Sequence, residues 1–264
     1  MMSQTLMLYQ VDAFTDKLFH GNPAGVCILK SWPSEKVMQQ IAGENNLPET
    51  AFILEKKDEV EIRWFTPTTE VDLCGHATLA SAHVLFTYYS ITSNLIRFFS
   101  PRSGYLEVER NGEWLTLNFP KDNYTKIDVP EVLINAFQNS PIEAYRGKTD
   151  FLLIFSSQKV IEDLNPDLEM IYSVGGRGVI VSAPGKEVDF VSRFFAPQSG
   201  INEDPVTGSA HTTLTPYWSK KTGKSKLTAL QLSKRRGELI CELKGQRVLI
   251  SGKAVTYMIG EIEI

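Results

Sequence analysis

A strand, a polar loop and a glycine-led helix follow one another twice in this chain, in nearly the same words. The first copy runs Arg63-Trp64-Phe65-Thr66-Pro67 and then Cys74-Gly75-His76-Ala77-Thr78-Leu79. The second runs Arg193-Phe194-Phe195-Ala196-Pro197 and then Thr207-Gly208-Ser209-Ala210-His211-Thr212. From Arg63 to Gly75 is 12 positions and from Arg193 to Gly208 is 15, so the second loop is three residues longer. A chain that repeats a whole loop-to-helix junction is expected to form two similar domains, with the functional site in the cleft between them. The polar stretch Pro120 to Pro130, with a proline at each end, is the linker candidate. It divides the chain into halves of 1–119 and 120–264, the last strand being able to return to the first half.

The 264 residues, 42% apolar and 22% charged, suffice for two cores of ordinary composition. A net charge of −4 and a pI near 5.7 lack the basic face of a nucleic-acid binder, so no nucleic-acid partner is expected. The short basic run Lys234-Arg235-Arg236 reads as a solvated hairpin turn. No window approaches the roughly 20 apolar residues of a membrane span. Met1 to Gln10 has neither the basic start nor the apolar core of a signal peptide, and it alternates like a strand. Cys27, Cys74 and Cys241 are too few and too scattered for a disulfide framework or a zinc site. A reducing cytosol, with no membrane partner, is the expected setting.

Strand signals dominate each half. Leu6 to Phe14, Val26 to Leu29, Ala51 to Leu54 and Val60 to Phe65 are apolar or alternating runs bounded by turn residues. Ser34 is an N-cap for a helix whose Val37, Met38 and Ile41 form one apolar face. Gly75 opens a second helix in which Ala77 to Tyr89 is apolar or small on nearly every side, so it is expected inside a wrapped sheet. Strands follow near Leu95 to Phe99, Tyr105 to Glu109 and Trp114 to Phe119, with Asn111-Gly112 as a hairpin turn. The second half is expected to repeat the scheme. It has a helix near Glu131 to Gln138 and strands near Phe151 to Phe155, Val179 to Ser182 and Asp189 to Phe195. A helix opened by Gly208 follows, then closing strands near Leu227 to Ser233, Glu238 to Leu243 and Arg247 to Tyr257.

The chemistry is expected at the two glycine-led helix starts. A helix beginning with Gly and a small residue exposes unpaired N–H groups and a positive dipole end, both of which attract a carboxylate or phosphate. Gly75-His76 and Gly208-Ser209 both qualify, although either glycine could simply start a buried helix. Proton-transfer candidates are His76 in the first helical turn, Asp204 in the loop ahead of Gly208, and Glu49 in Asn46-Leu47-Pro48-Glu49-Thr50-Ala51-Phe52. A carboxylate in a desolvated site gains the near-neutral pKa that a general base or acid requires. By position alone, Glu49 reads as a surface turn residue. His83 reads as a core histidine, His211 as lining or packing, and Cys74 as a thiol at a helix start. The second phrase has Thr207 where the first has Cys74, so a two-thiol mechanism lacks its second thiol. No Gly-x-Ser-x-Gly elbow surrounds Ser209, and neither GxGxxG nor a P-loop occurs.

Together these phrases resemble the phenazine-biosynthesis PhzF-like family, which shares the diaminopimelate epimerase-like fold. The resemblance rests on Val11-Asp12-Ala13-Phe14-Thr15, Gly21-Asn22-Pro23-Ala24-Gly25-Val26, Asn46 to Phe52, Phe65-Thr66-Pro67, Glu70 to Thr78, Gly200, and Glu203 to His211. It implies an α+β fold of two similar domains, each a highly curved, mostly antiparallel sheet around a central helix. It also implies an isomerase without cofactor or metal, commonly a homodimer. By the same resemblance Glu49 is the acid/base, with His76 and Asp204 assisting. Gly75, Gly208 and Ser209 would hold a small carboxylate substrate. Asn22 and Asp72 are weaker candidates at the site's wall. The related epimerases use two cysteines, whereas this chain keeps only Cys74 in the phrase.

The expected function is therefore proton transfer between carbons of a small carboxylate by Glu49. Two rivals stand beside it. One is a non-catalytic binding homologue, and the other a racemase or epimerase working through Glu49 and Cys74.

Overall fold

The computed structural model describes residues 5–56 and 59–264, so the first four positions of the strand expected from Met1 lie outside the described residues. The chain divides into two compact units, Met1–Asn118 with Ser251–Ile264, and Phe119–Ile250.

In the first unit, strands β1 (Thr5–Ala13), β2 (Asn22–Leu29), β3 (Glu49–Glu55), β4 (Val60–Phe65), β5 (Glu70–Val71), β6 (Leu95–Ser100), β7 (Gly104–Asn111) and β8 (Trp114–Pro120) are joined by the last strand of the chain, β17 (Ala254–Glu263). The order is β17-β1-β2-β3-β4-β6-β7-β8. All pairs are antiparallel except β2–β3 and β4–β6, and β5 folds back on β4. Helix α1 (Glu35–Asn45) starts where Ser34 Oγ accepts from the Val37 N–H at 3.3 Å and ends at left-handed Asn46. Its Met38, Ile41 and Ala42 pack with Leu8, Cys27, Phe52 and Phe65. Helix α2 (Gly75–Tyr88) has no polar face, and His76 to Ala82 and Val84 to Phe86 are all buried against the strands. Burying each of Leu79, Val84 and Leu85 contributes about 1.5–3 kcal/mol, so an all-apolar helix is stable only inside the sheet.

The second unit holds β9 (Thr125–Ile127), β10 (Glu143–Arg146), β11 (Asp150–Ile154), β12 (Gly178–Pro184), β13 (Phe190–Phe195), β14 (Lys226–Gln231), β15 (Gly237–Lys244) and β16 (Arg247–Gly252). Its helices are α3 (Glu131–Phe137), α4 (Gln158–Asp163), α5 (Leu168–Ser173) and α6 (His211–Thr222). From β9 to β15 consecutive strands pair side by side, antiparallel except for β11–β12 and β13–β14. This repeats the directions of β17-β1-β2-β3-β4-β6-β7, so the duplicated phrase belongs to a duplicated sheet. Helix α6 is the counterpart of α2 and buries Leu214, Tyr217 and Trp218. The diaminopimelate epimerase-like class expected from the sequence is the fold observed.

The register aligns the two units residue by residue. Thr50 pairs with Phe65 and Val179 with Phe195, while Ala24 pairs with Glu49 and Asp150 with Gly178. Phe65 and Phe195 close the same word of the repeated phrase, so Glu49 in the first unit corresponds to Gly178 in the second.

Three local expectations are corrected. The stretch Pro120 to Pro130 is not all linker, because β9 lies within it and pairs with β10. The strand expected over Arg247 to Tyr257 is broken at Lys253, whose carbonyl leaves the ladder to accept from the Thr15 N–H at 3.1 Å. There Phe14 packs so closely on Gly252 that a Cβ would sit 2.3 Å from its ring. Gly208 does not open α6. Residues 208–210 form a tight turn in which the N–H groups of His211, Thr212 and Thr213 reach back three residues, and the four-residue ladder begins at Leu214. Among the described residues, no helix is long and apolar enough to cross a membrane.

Candidate active site

In the first unit, Glu49 is no surface turn residue. It is the first residue of β3, 9% exposed, and the parallel pairing with Ala24 sets its direction. Its Oε2 lies 3.0 Å from Nε2 of buried His76, in the first turn of α2. Asn22, the fully buried first residue of β2, places its amide nitrogen 3.2 Å from His76 Nδ1. With Nδ1 accepting from that amide, the ring proton of neutral His76 sits on Nε2, on the side of Glu49. A second proton would occupy Nδ1 and require Asn22 to present its carbonyl oxygen instead. Burial opposes charge on His76, but hydrogen bonds to Cys74 Sγ and Glu49 and the negative charge of Glu49 outweigh it and raise its pKa well above the ordinary imidazole value.

Cys74 is the residue before α2, with Sγ 3.5 Å from His76 Nδ1. Burial and the adjacent Glu49 push its thiol up to about 11, overriding the helix start, so at neutral pH it is a protonated thiol. Glu49, Cys74 and His76 offer ligand atoms all within 4.8 Å of one another. A cation there would first have to displace the thiol proton. Gly75 begins α2 between Cys74 and His76. Asp72 is not part of this cluster: its side chain is 77% exposed and pairs with Arg102 at 3.2 Å.

In the second unit, Asp204 is 9% exposed and accepts from the Thr207 hydroxyl. Gln231, at the end of β14 and fully buried, fastens this loop. Its amide donates to Asp204 O at 2.8 Å and to Thr207 Oγ1 at 3.2 Å, and its oxygen accepts from Thr207 N–H at 2.8 Å. His211 donates from Nδ1 to Thr207 O at 2.8 Å. Burial lowers its pKa to about 4, so it is neutral. Ser209, in the turn after Gly208, accepts from Arg177 Nη1 at 2.8 Å. Arg177 is in turn held by Asp150, with Nε 2.9 Å from Oδ1 and Nη2 on Oδ2.

Sequence reasoning missed Gln231, Arg177 and Asp150. Gln231 and Arg177 lie 24 to 32 residues from the partners they fasten, and none of the three stands in a recognisable phrase. The usable signal was the repeat itself: its offset of 130 carries Glu49 to Val179, and the strand register moves the match to Gly178, beside Arg177. There a Cβ would fall 2.6 Å from the Phe194 ring and 2.7 Å from Phe195 O, so no carboxylate side chain fits without movement.

A model of the family described as phenazine biosynthesis-like protein matches residues 11–260. An uncharacterized isomerase from Pseudomonas aeruginosa is 46% identical over 98% of this chain and 99% of its own. A PhzF-family crystal structure from Enterococcus faecalis is 44% identical, with a TM-score of 0.97 over 99% of this chain and 100% of that one. A hydroxyproline epimerase from Agrobacterium vitis shares the fold alone, at 10% identity and a TM-score of 0.63, covering 98% and 93% of the two chains. These matches support isomerase as the coarse class of activity.

Proposed function

This chain belongs to the phenazine biosynthesis-like family, and we propose that it is a cofactor-independent isomerase in which Glu49 moves a proton between carbons of a small carboxylate. The observation that carries this reading is the buried Asn22–His76–Glu49 array, with His76 Nε2 3.0 Å from the Glu49 carboxylate. Glu49 takes a proton from a carbon made acidic by an adjacent carbonyl or carboxylate and returns it to another carbon or face. His76 holds the carboxylate in place, and its ring proton faces the atom that gains and loses charge. Gly75, at the start of α2, brings backbone N–H donors to negative charge developing on the substrate. Such a donor, well placed, is often worth about 3 kcal/mol. Asp204 is assigned to assist the proton transfer, and Gly208 and Ser209 to hold the substrate, because their phrase matches the family's.

At the register position of Glu49 the second unit has Gly178 and so no second carboxylate in the same place. That asymmetry favours one carboxylate acting as both base and acid. The test is incubation in D₂O with a panel of small carboxylates, followed by NMR. Wild type is expected to place deuterium on carbon, and Glu49→Gln to bind the same compound without exchange. Wild-type exchange in Glu49→Gln would remove the proposed base, and binding without exchange in the wild type would favour a non-catalytic homologue.

A further inference from the structure

The two units place opposite chemistry one residue apart at the same end of corresponding strands, since Gly178 and not Arg177 is the counterpart of Glu49. In the first, the start of β3 sends Glu49 to His76, one residue after Gly75. In the second, the residue before β12 sends Arg177 to Ser209, one residue after Gly208. The side chain that follows each glycine is thus gripped from the same end of the corresponding strand, by a carboxylate in one unit and a guanidinium in the other.

We propose that Arg177 is a positioning residue that fixes Ser209 as a hydrogen-bond donor to the carboxylate of the substrate. A serine hydroxyl has one proton and two lone pairs. Arg177 donates to the oxygen, so Ser209 cannot donate back, and its O–H has no protein acceptor in any hydrogen bond found among the described residues. The turn adds to this, since the Ser209 carbonyl already accepts from both the N–H and the hydroxyl of Thr212, at 3.1 and 2.7 Å. The hydroxyl is left to a ligand that accepts hydrogen bonds.

Arg177 is built for orientation rather than for attraction at a distance. Asp150, 3% exposed, takes Nε and Nη2 and offsets the charge. The guanidinium also lies over Phe194, 5.2 Å from the ring centre, and the Arg177 N–H donates to Thr149 O at 2.9 Å. Every part of the side chain but Nη1 is therefore used to hold its direction, and Nη1 goes to Ser209. A lysine cannot reproduce this fork.

The inference rests on the carboxylate reading above and is tested apart from catalysis, with benzoate and its neutral amide, benzamide, as probes in an NMR titration. Wild type and Glu49→Gln are expected to bind benzoate at least about tenfold more tightly than benzamide. Arg177→Gln and Ser209→Ala are each expected to lose that preference. The double variant is expected to be no worse than either single one, because the two residues act as one unit. In turnover, Arg177→Gln is expected to raise KM about tenfold and leave kcat within about twofold. Additive losses in the double variant, or an unchanged preference in Arg177→Gln, overturn the role of Arg177 alone. A folded wild type that binds both probes alike, or neither, overturns it together with the carboxylate reading.

Discussion

Arg63 chelates Glu70 through Nε and Nη2, each 2.7 Å from a carboxylate oxygen. Arg193 does the same to Glu203, at 2.7 and 2.9 Å. Both arginines lie over the phenylalanine two residues on, with centroid distances of 5.2 Å to Phe65 and 4.9 Å to Phe195. The glutamate comes seven residues after its arginine in the first unit and ten after it in the second. That difference of three is the extra length of the second loop, so the clamp fixes the loop base while the insertion lies inside it. Each loop leads to one of the two glycine-led junctions.

These clamps are expected to differ in worth. The Glu70 side chain is 6% exposed and is also held by Arg102 at 2.8 Å, whereas that of Glu203 is 23% exposed. Glu70→Ala therefore removes a buried carboxylate shared by two guanidinium groups and is expected to cost about 2–3 kcal/mol, against about 1 kcal/mol for Glu203→Ala, whose more exposed carboxylate serves one. Urea unfolding of the two variants checks the order; equal losses would mean that burial does not set the value of the clamp.

Cys74 is expected to be dispensable for the chemistry. Burial and Glu49 push its pKa up to about 11, so little thiolate exists at neutral pH. Cys74→Ser should keep kcat within about threefold of wild type, and iodoacetamide should label the native protein slowly at pH 7. A loss on the order of a hundredfold with the fold intact would instead support the racemase in which thiol and carboxylate work from opposite sides.

His211 gives a stability prediction with a definite sign. Its pKa falls from 6.5 to about 4 on burial, so below pH 6.5 the unfolded chain binds a proton that the folded chain refuses. The contribution of the neutral ring is thus complete above pH 6.5 and is lost as pH falls towards 4, to the extent of about 3 kcal/mol at most. The difference in unfolding free energy between wild type and His211→Gln, followed across that range, should shrink with acid. A difference independent of pH would show that the folded protein accepts the proton.

Much of the fold was legible because its signals are local. Alternation marked β1 and β4, Ser34 marked the start of α1, and the absence of a polar face placed α2 in the interior, since only burial stabilises such a helix. Short elements such as β10, α4 and α5 escaped notice, because four to six residues carry too little periodicity to stand out from loop. Gly208 misled because a glycine permits a helix start and a tight turn alike.

By itself the sequence determined the duplication, the two glycine-led junctions and the set Glu49, His76, Asp204 and Ser209 that the family resemblance singles out, with Asn22 as a weaker candidate. Only the tertiary structure decided which residues those groups face. Parallel pairing of β2 with β3 brings Glu49 beside His76, and the same pairing of β11 with β12 brings Asp150 and Arg177 to Ser209. Strand register is set by many cross-strand contacts at once, so no local window of sequence contains it.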